Sequence, residues 1–325
     1  MLERYTSSFE FDLYRNAAAE LGIDFEPLLG EDEPLGYFSL GAKRLFVQRG
    51  RLGVNNDVSG AIAHSTLRTY RLLERFRLPC PRAVLLKSDG TVERVAGEAG
   101  RLRRPFVVKS RAGARATGTR LTDNADIVAA IGRARRASRA VLIEEHIDGR
   151  SYTAIVLGTA LVDVIERIPA HVVGDGVTTL RQLIEARSDE LIHAARTGIR
   201  LDRELRRIVH EQGLDLAAVP ANGRPVALRA DADAATGAGS RRLDLRRDLH
   251  PDNARMFVRA ARRIGLTLAG VDFVTPDIER SCVDCVCAIV AVSRAPALAP
   301  HYFADDAGDN RVAEKILAKL RLAAH

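Results

Sequence analysis

The chain has 325 residues, 46% of them hydrophobic and 5% aromatic, with a formal net charge of +7. That length is enough for two or three packed units, and no apolar run approaches a membrane span. The excess charge is arginine scattered along the chain rather than a basic stripe, and rings on which bases could stack are few, so neither nucleic acid nor a membrane is an expected partner.

In chain order, residues 9–21 have the spacing of a helix, 22–26 read as a strand after the stop at Gly22, and 38–48 read as a hairpin. Residues 58–76 read as one helix with Ile62, Leu67, Leu72 and Leu73 as its apolar positions. Leu78-Pro79-Cys80-Pro81 ends it, because proline lacks the amide donor and restricts the residue before it. An α/β unit follows, with strands at 83–86, 106–109 and 140–144 and a helix at 126–137. Strands at 152–157 and 161–168 come next. In PAHVVGDGVTTLRQL, residues 169–183, a β-branched run then breaks at Gly174-Asp175-Gly176, a turn signature. Residues 183–211 read as mostly helical, 225–229 as a strand, 230–240 as a loop of small residues, and 251–264 as a helix. Residues 268–274 and 286–292 read as core strands, and an amphipathic helix at 310–322 closes the chain. The N-terminus carries charge early and has no apolar signal core, so a cytoplasmic protein is expected. Four cysteines make no disulfide framework for this length.

Three places carry chemistry. Lys109 ends an apolar strand and precedes SRAGARATGT, where Gly113 and Gly118 would let loop amides approach phosphate oxygens; an ordinary surface lysine is the plainer alternative. Residues 140–149, AVLIEEHIDG, run an apolar strand into acids and a turn, which suits either an adenine–ribose hinge or a strand end with solvated acids. Asp272 lies in an otherwise buried strand, where a carboxylate requires a partner: magnesium, or one of the arginines. Cys282, Cys285 and Cys287 form C-x-x-C-x-C, readable as a zinc cluster with His301 as a fourth ligand or as three reduced thiols.

The pieces VVKSRAG (107–113), LIEEHIDGRSY (142–152), RIPAHVVGDGVTTLRQLI (167–184), QGLDLAAVPANGRPVALR (212–229), LHPDN (249–253) and AGVDFVTPDI (269–278) stand in one order along the chain. In that order they resemble the ATP-grasp ligases, in the branch of cyanophycin synthetase and the bifunctional glutathione synthetase. The resemblance implies an α/β (α+β) fold in which two α/β subdomains clasp ATP. Residues 1–57 would be an N-terminal segment for substrate or subunit contact. Residues 58–145 would form the N-terminal subdomain, with a lid at about 83–145, and 146–325 the catalytic subdomain. It implies ATP and Mg2+ as cofactors and a small-molecule or peptide substrate, and leaves homodimerisation open. The implied reaction phosphorylates a carboxylate, and an amine then displaces phosphate from the acyl phosphate to leave an amide. Lys109, Gly113 and Gly118 would serve the phosphates, and Glu144 and Ile147 the hinge. Arg167 and Arg229 would be catalytic cations, Arg167 facing the transferred phosphoryl or the carboxylate, and Asp272 a magnesium ligand.

The sequence departs from this pattern at the chemistry. Ala291 and Ser293 stand where the resemblance implies a glutamate and an asparagine on the metal, Thr66 stands at a phosphate-binding lysine, and alanines fill the loop after Lys109. Asp231 and Asp233 replace an Asn-x-Asn pair near the γ-phosphate. Two readings follow: an active ligase whose metal cage is rebuilt from Asp231, Asp233 and Asp272, or a degenerate domain that binds nucleotide or peptide as a partner subunit.

Overall fold

The computed structural model describes residues 2–29, 34–86, 102–103, 105–110, 119–121, 127–137, 141–195, 198–229, 239–245, 247–302, 304 and 311–323. In chain order the elements are α1 (Leu2–Glu20), β1 (Phe25–Pro27), β2 (Leu35–Leu40), β3 (Lys43–Gln48), β4 (Arg51–Leu52), α2 (Asp57–Ala63), α3 (Thr66–Arg75), β5 (Ala83–Leu86), β6 (Phe106–Ser110), β7 (Thr119–Leu121), α4 (Ile127–Ala137) and β8 (Val141–Glu145). Then come β9 (Arg150–Leu157), β10 (Ala160–Ile168), β11 (His171–Val173), α5 (Leu180–Ala195), α6 (Arg203–Glu211), β12 (Pro225–Ala227), β13 (Gly239–Arg242), α7 (Pro251–Ile264), β14 (Leu268–Thr275), β15 (Ala288–Ser293), α8 (Ala299–Tyr302) and α9 (Val312–Leu322).

The chain forms two compact units that are not consecutive in sequence. One comprises residues 1–51, 163–243 and 297–325, the other 52–162 and 244–296. In the first, β1, β2 and β3 pair antiparallel and bury Phe38 against the Phe25 ring at 5.1 Å, and Phe25 meets the Phe11 ring of α1 at 5.6 Å. A second core gathers Val172 and Val226 of the antiparallel pair β11–β12 with Leu180 and Ile184 of α5 and Leu205 and Val209 of α6. The Gly174-Asp175-Gly176 turn sits over this core. Gly174 is required because a Cβ there would lie 2.4 Å from the Ala221 carbonyl oxygen, and Gly176 because its φ is +78°. Asp175 receives the amides of Val177 and Thr178 and the Thr178 hydroxyl, which holds its carboxyl down at about 2. Gly174→Ala is expected to cost about 1–3 kcal/mol through overpacking against backbone that cannot yield, read as a lowered urea midpoint.

The second unit holds an antiparallel sheet in the order β5-β8-β6-β7. One face of it packs Phe106, Val108, Val141 and Ile143 on Ala130 and Ile131 of α4. Antiparallel strands β9, β14 and β15 form a further layer, with α7 packed on β14 through a T-shaped Phe257–Phe273 contact at 5.4 Å. Asn55 ties this layer together. It donates to the Leu268 and Arg294 carbonyls and accepts from the Thr267 and Leu268 amides.

Two expectations are corrected. The single helix over 58–76 is two helices, because Ser65 takes extended backbone (φ −112°, ψ 104°) and starts α3 afresh. Part of the small-residue loop at 230–240 is β13, which pairs with β10. Strand β13 lacks apolar alternation; a charged cross-strand pair marks it instead, with Arg241 opposite Glu166 and forked onto one carboxylate oxygen at 2.8 and 3.1 Å.

Candidate functional site

In the second unit, β8 carries Glu144 on the sheet face opposite α4. Glu144 is 2% exposed, and its Oε1 lies 2.5 Å from the Lys109 ammonium on β6. The register sets Val107 opposite Glu144 and Lys109 opposite Leu142, so the two charges meet diagonally on one face. The other Glu144 oxygen faces the Tyr70 hydroxyl of α3 at 3.1 Å, and that hydroxyl also reaches the Val290 carbonyl of β15 at 2.9 Å. With a single proton, Tyr70 donates to one acceptor at a time, so it couples the β5-β8-β6-β7 sheet to β15. Burial first, then the Glu144 charge, hold the phenol well above its ordinary value, so it acts as a neutral donor.

Beside Val290, Ala291 lies directly opposite Asp272, which is flanked on its other side by Thr153. The Thr153 hydroxyl donates to Asp272 at 2.8 Å. Among the described residues no arginine pairs with Asp272, so its partner is a hydroxyl rather than a cation. Ser293 uses its hydroxyl on the turn that follows, donating to the Ala295 carbonyl and accepting the Ala295 amide. The donor set therefore tests poorly for magnesium: one carboxylate, one methyl group and one hydroxyl bound to its own turn, with no group of three or more His, Cys, Asp or Glu side chains arranged for a metal among the described residues. Asp231 and Asp233, the substitutes expected from the sequence, lie outside the described residues, as do Gly113 and Gly118.

The segment after β8 is set by backbone bonds from the Glu145 amide to the Arg82 carbonyl and from the His146 amide to the Pro105 carbonyl, which leads into half-buried Ile147. Glu145 caps the chain at Arg103, accepting its amide at 2.8 Å.

In the first unit, Arg167 shares a face of β10 with Asp163, because residues 163, 165 and 167 alternate to one side. The His301 ring of α8, fully buried, donates from Nδ1 to Asp163 at 2.7 Å. Arg242 of β13 approaches the other Asp163 oxygen at 3.3 Å and donates to the His301 carbonyl at 2.6 Å. Burial holds the His301 imidazole below its ordinary value against the pull of Asp163, and the charges of Arg242 and Arg167 act in the same direction as burial. Arg229, 4% exposed, donates to Asp202 at 2.9 Å and to the Arg200 and Leu228 carbonyls, which fastens β12 to the start of α6.

The structure thus joins Lys109 to Glu144, Asp272 to Ala291, Arg167 to a charged cluster, and Arg229 to Asp202. Sequence reasoning missed Tyr70, Thr153, Asp163 and Arg242. A tyrosine on the buried stripe of an amphipathic helix was the only signal for Tyr70. Cys282, Cys285 and Cys287 are free thiols, and His301, the suggested fourth zinc ligand, is bound to Asp163 instead. Among the described residues no helix is long and apolar enough to cross a membrane.

No family model matches the chain. Cyanophycin synthetase from Trichormus variabilis is 31% identical over 311 residues, which cover 89% of this chain and 34% of that protein. The glutathione biosynthesis bifunctional protein GshAB from Mannheimia succiniciproducens is 32% identical over 163 residues, covering 49% of this chain and 21% of its own length. The chain thus spans about a third or less of the curated relatives it matches. A bifunctional glutathione synthetase from Pasteurella multocida superposes with a TM-score of 0.70 at 22% identity, over 97% of this chain and 44% of that one. A D-alanine–D-alanine ligase from Bacillus anthracis superposes with a TM-score of 0.53 at 14% identity, over 83% of this chain and 72% of that one. The fold expected from the sequence is the fold found, that of the ATP-grasp ligases, and the chain is similar in sequence to cyanophycin synthetase and to the bifunctional glutathione biosynthesis protein.

Proposed function

We propose that the protein is an ATP-dependent ligase that joins a carboxylate to an amine on an amino acid or small peptide. The observation that carries this reading is the convergence of Lys109, Glu144 and Asp272 around the buried Tyr70 hydroxyl. A carboxylate oxygen would attack the γ-phosphorus with ADP leaving, and the amine would then attack the acyl carbon as phosphate leaves and one proton is released. Lys109 would place its charge on the phosphates, with Glu144 holding its ammonium until they arrive. Arg167 would face the reacting carboxylate. Magnesium would supply further charge neutralisation on the phosphates, and Asp272 is the described residue that could hold it. The described donors do not complete a metal site.

The pairing of Asp272 with Ala291 favours a second reading, a nucleotide- or peptide-binding partner subunit without turnover. One experiment separates the two. ATP affinity is measured by calorimetry with and without magnesium, and ADP release is followed with mixtures of amino acids and dipeptides. A ligase releases ADP only when both a carboxylate and an amine substrate are present. Asp272→Asn is expected to lower that release about 100-fold or more while shifting ATP binding in EDTA less than threefold. Binding without substrate-dependent ADP release selects the partner reading, and no binding at millimolar ATP overturns both.

A further inference from the structure

The second unit has a cavity of about 500 Å3, lined among others by Arg77, Arg255, Arg259, Met256 and Cys282. None of the lining residues belongs to the Lys109–Glu144–Asp272 cluster. Its volume lies in the range of small-molecule sites. Leu78, Pro79, Met256 and Val283 give it an apolar wall, and three guanidiniums stand against a single carboxylate, Asp252. That carboxylate is already engaged, by the Ser281 hydroxyl at 2.6 Å and Arg255 at 2.5 Å, and these two contacts in that order hold it below its ordinary value. It therefore stays anionic yet has little left to offer the other two arginines. Among the described residues neither Arg77 nor Arg259 forms an ion pair; Arg259 makes only a 3.4 Å contact with the Phe76 carbonyl.

Arg77 carries a second mark. It follows the last turn of α3 with φ +52°, and the Leu78 amide closes the turn onto the Leu73 carbonyl at 2.9 Å. This is the position where a helix normally ends in glycine, because an L side chain is strained at positive φ. The chain accepts that strain and places a guanidinium at the cavity.

We infer that this cavity binds a small anion bearing an apolar portion, its charge on Arg77 and Arg259 and its body on Pro79, Met256 and Val283. A phosphate ester and a carboxylate-bearing dipeptide share this chemistry. The cavity also touches the elements that shape the nucleotide site. Helix α3 ends at the cavity and carries Tyr70 about 10 Å upstream, and the Pro79 carbonyl accepts the Ile289 amide of β15 at 2.9 Å.

Cys282 supplies a reporter inside the cavity. Its thiol is half-buried and is raised above its ordinary value by burial and then by the Asp252 charge, so alkylation is run at alkaline pH. The full chain is titrated by calorimetry with phenyl phosphate and, separately, with the dipeptide Leu-Glu, and iodoacetamide labelling of Cys282 is followed by site-resolved mass spectrometry. At least one probe is expected to bind and to slow Cys282 labelling about threefold or more. The paired change Arg77→Gln and Arg259→Gln, at two exposed positions, is expected to weaken that binding about tenfold or more and to remove the protection, with an unchanged circular dichroism spectrum. Which probe protects tells phosphate from carboxylate. Absence of protection by both probes at millimolar concentration overturns the inference, as does protection that persists in the double variant. Neither result depends on whether the protein turns over ATP, and Lys109→Met is expected to leave the protection intact.

Discussion

Lys109→Met is expected to weaken ATP binding about 10- to 100-fold and Glu144→Gln to change it in the opposite direction or very little. The asymmetry follows from the pair they form. The Lys109 ammonium sits 2.5 Å from a carboxylate that is 3% exposed, while the lysine itself retains 22% of its side-chain exposure. A phosphate must compete with Glu144 for that ammonium, so the pair holds the cation in place and taxes its release. Removing the cation takes away a charge-assisted contact worth about 1.5–3 kcal/mol, which is the stated fold-change. It also leaves Glu144 buried with only Tyr70, a stability cost discounted to about 2 kcal/mol because the lysine is partly solvated. Glutamine at position 144 keeps an acceptor for Tyr70 and frees the ammonium. Calorimetric titration of ATP into the two single variants and the double variant measures the coupling. If Lys109→Met binds ATP as tightly as the parent chain, the nucleotide is not on this face of the sheet.

Asp163→Ala is expected to be the most destabilising single change in the first unit, at about 3–5 kcal/mol, the range for removing one partner from a buried charged group. Asp163 is 4% exposed in its side chain and faces both the fully buried His301 and Arg242. Differential scanning calorimetry would show this as a drop of about 10 °C in the corresponding transition. The same cluster sets a pH dependence. Burial keeps the folded His301 imidazole below its ordinary value of 6.5. The unfolded chain therefore takes up that proton first as pH falls. The contribution of His301 is complete above pH 6.5 and is lost progressively as the solution is acidified from there toward the lower folded value. His301→Gln should flatten that part of the stability profile between pH 7 and 5. A slope unchanged by His301→Gln would show that other groups carry it.

What could be read directly from the sequence was whatever depends on local chemistry. Helix α7 matched its expected limits because Pro251 opens it and Gly265 closes it, signals that act within one turn. The Gly174-Asp175-Gly176 turn was legible for the same reason, since Asp175 bonds only to residues two and three positions ahead. The strand carrying Asp272 was legible as buried, and so was the fact that its neighbouring strand offers alanine and serine. Together these carried the resemblance to the ATP-grasp ligases and marked the positions where the sequence departs from it.

Tertiary structure alone decided who pairs with whom. Asp272 was expected to face magnesium or an arginine, and it faces Thr153, 119 positions away in sequence. Arg229 was expected to be catalytic, and its guanidinium is held by Asp202 and two carbonyls. Lys109 and Glu144 were each legible as candidates, but not their closure on one another, nor the Tyr70 hydroxyl that links them to β15. The division into two units, which cross the chain at 51, 162, 243 and 296, was likewise beyond a linear reading. The physical reason is common to all of these. Turns, caps and breaks are governed by neighbours along the chain, whereas the partner of a buried charge is whichever distant group the packing of sheets and helices delivers to it.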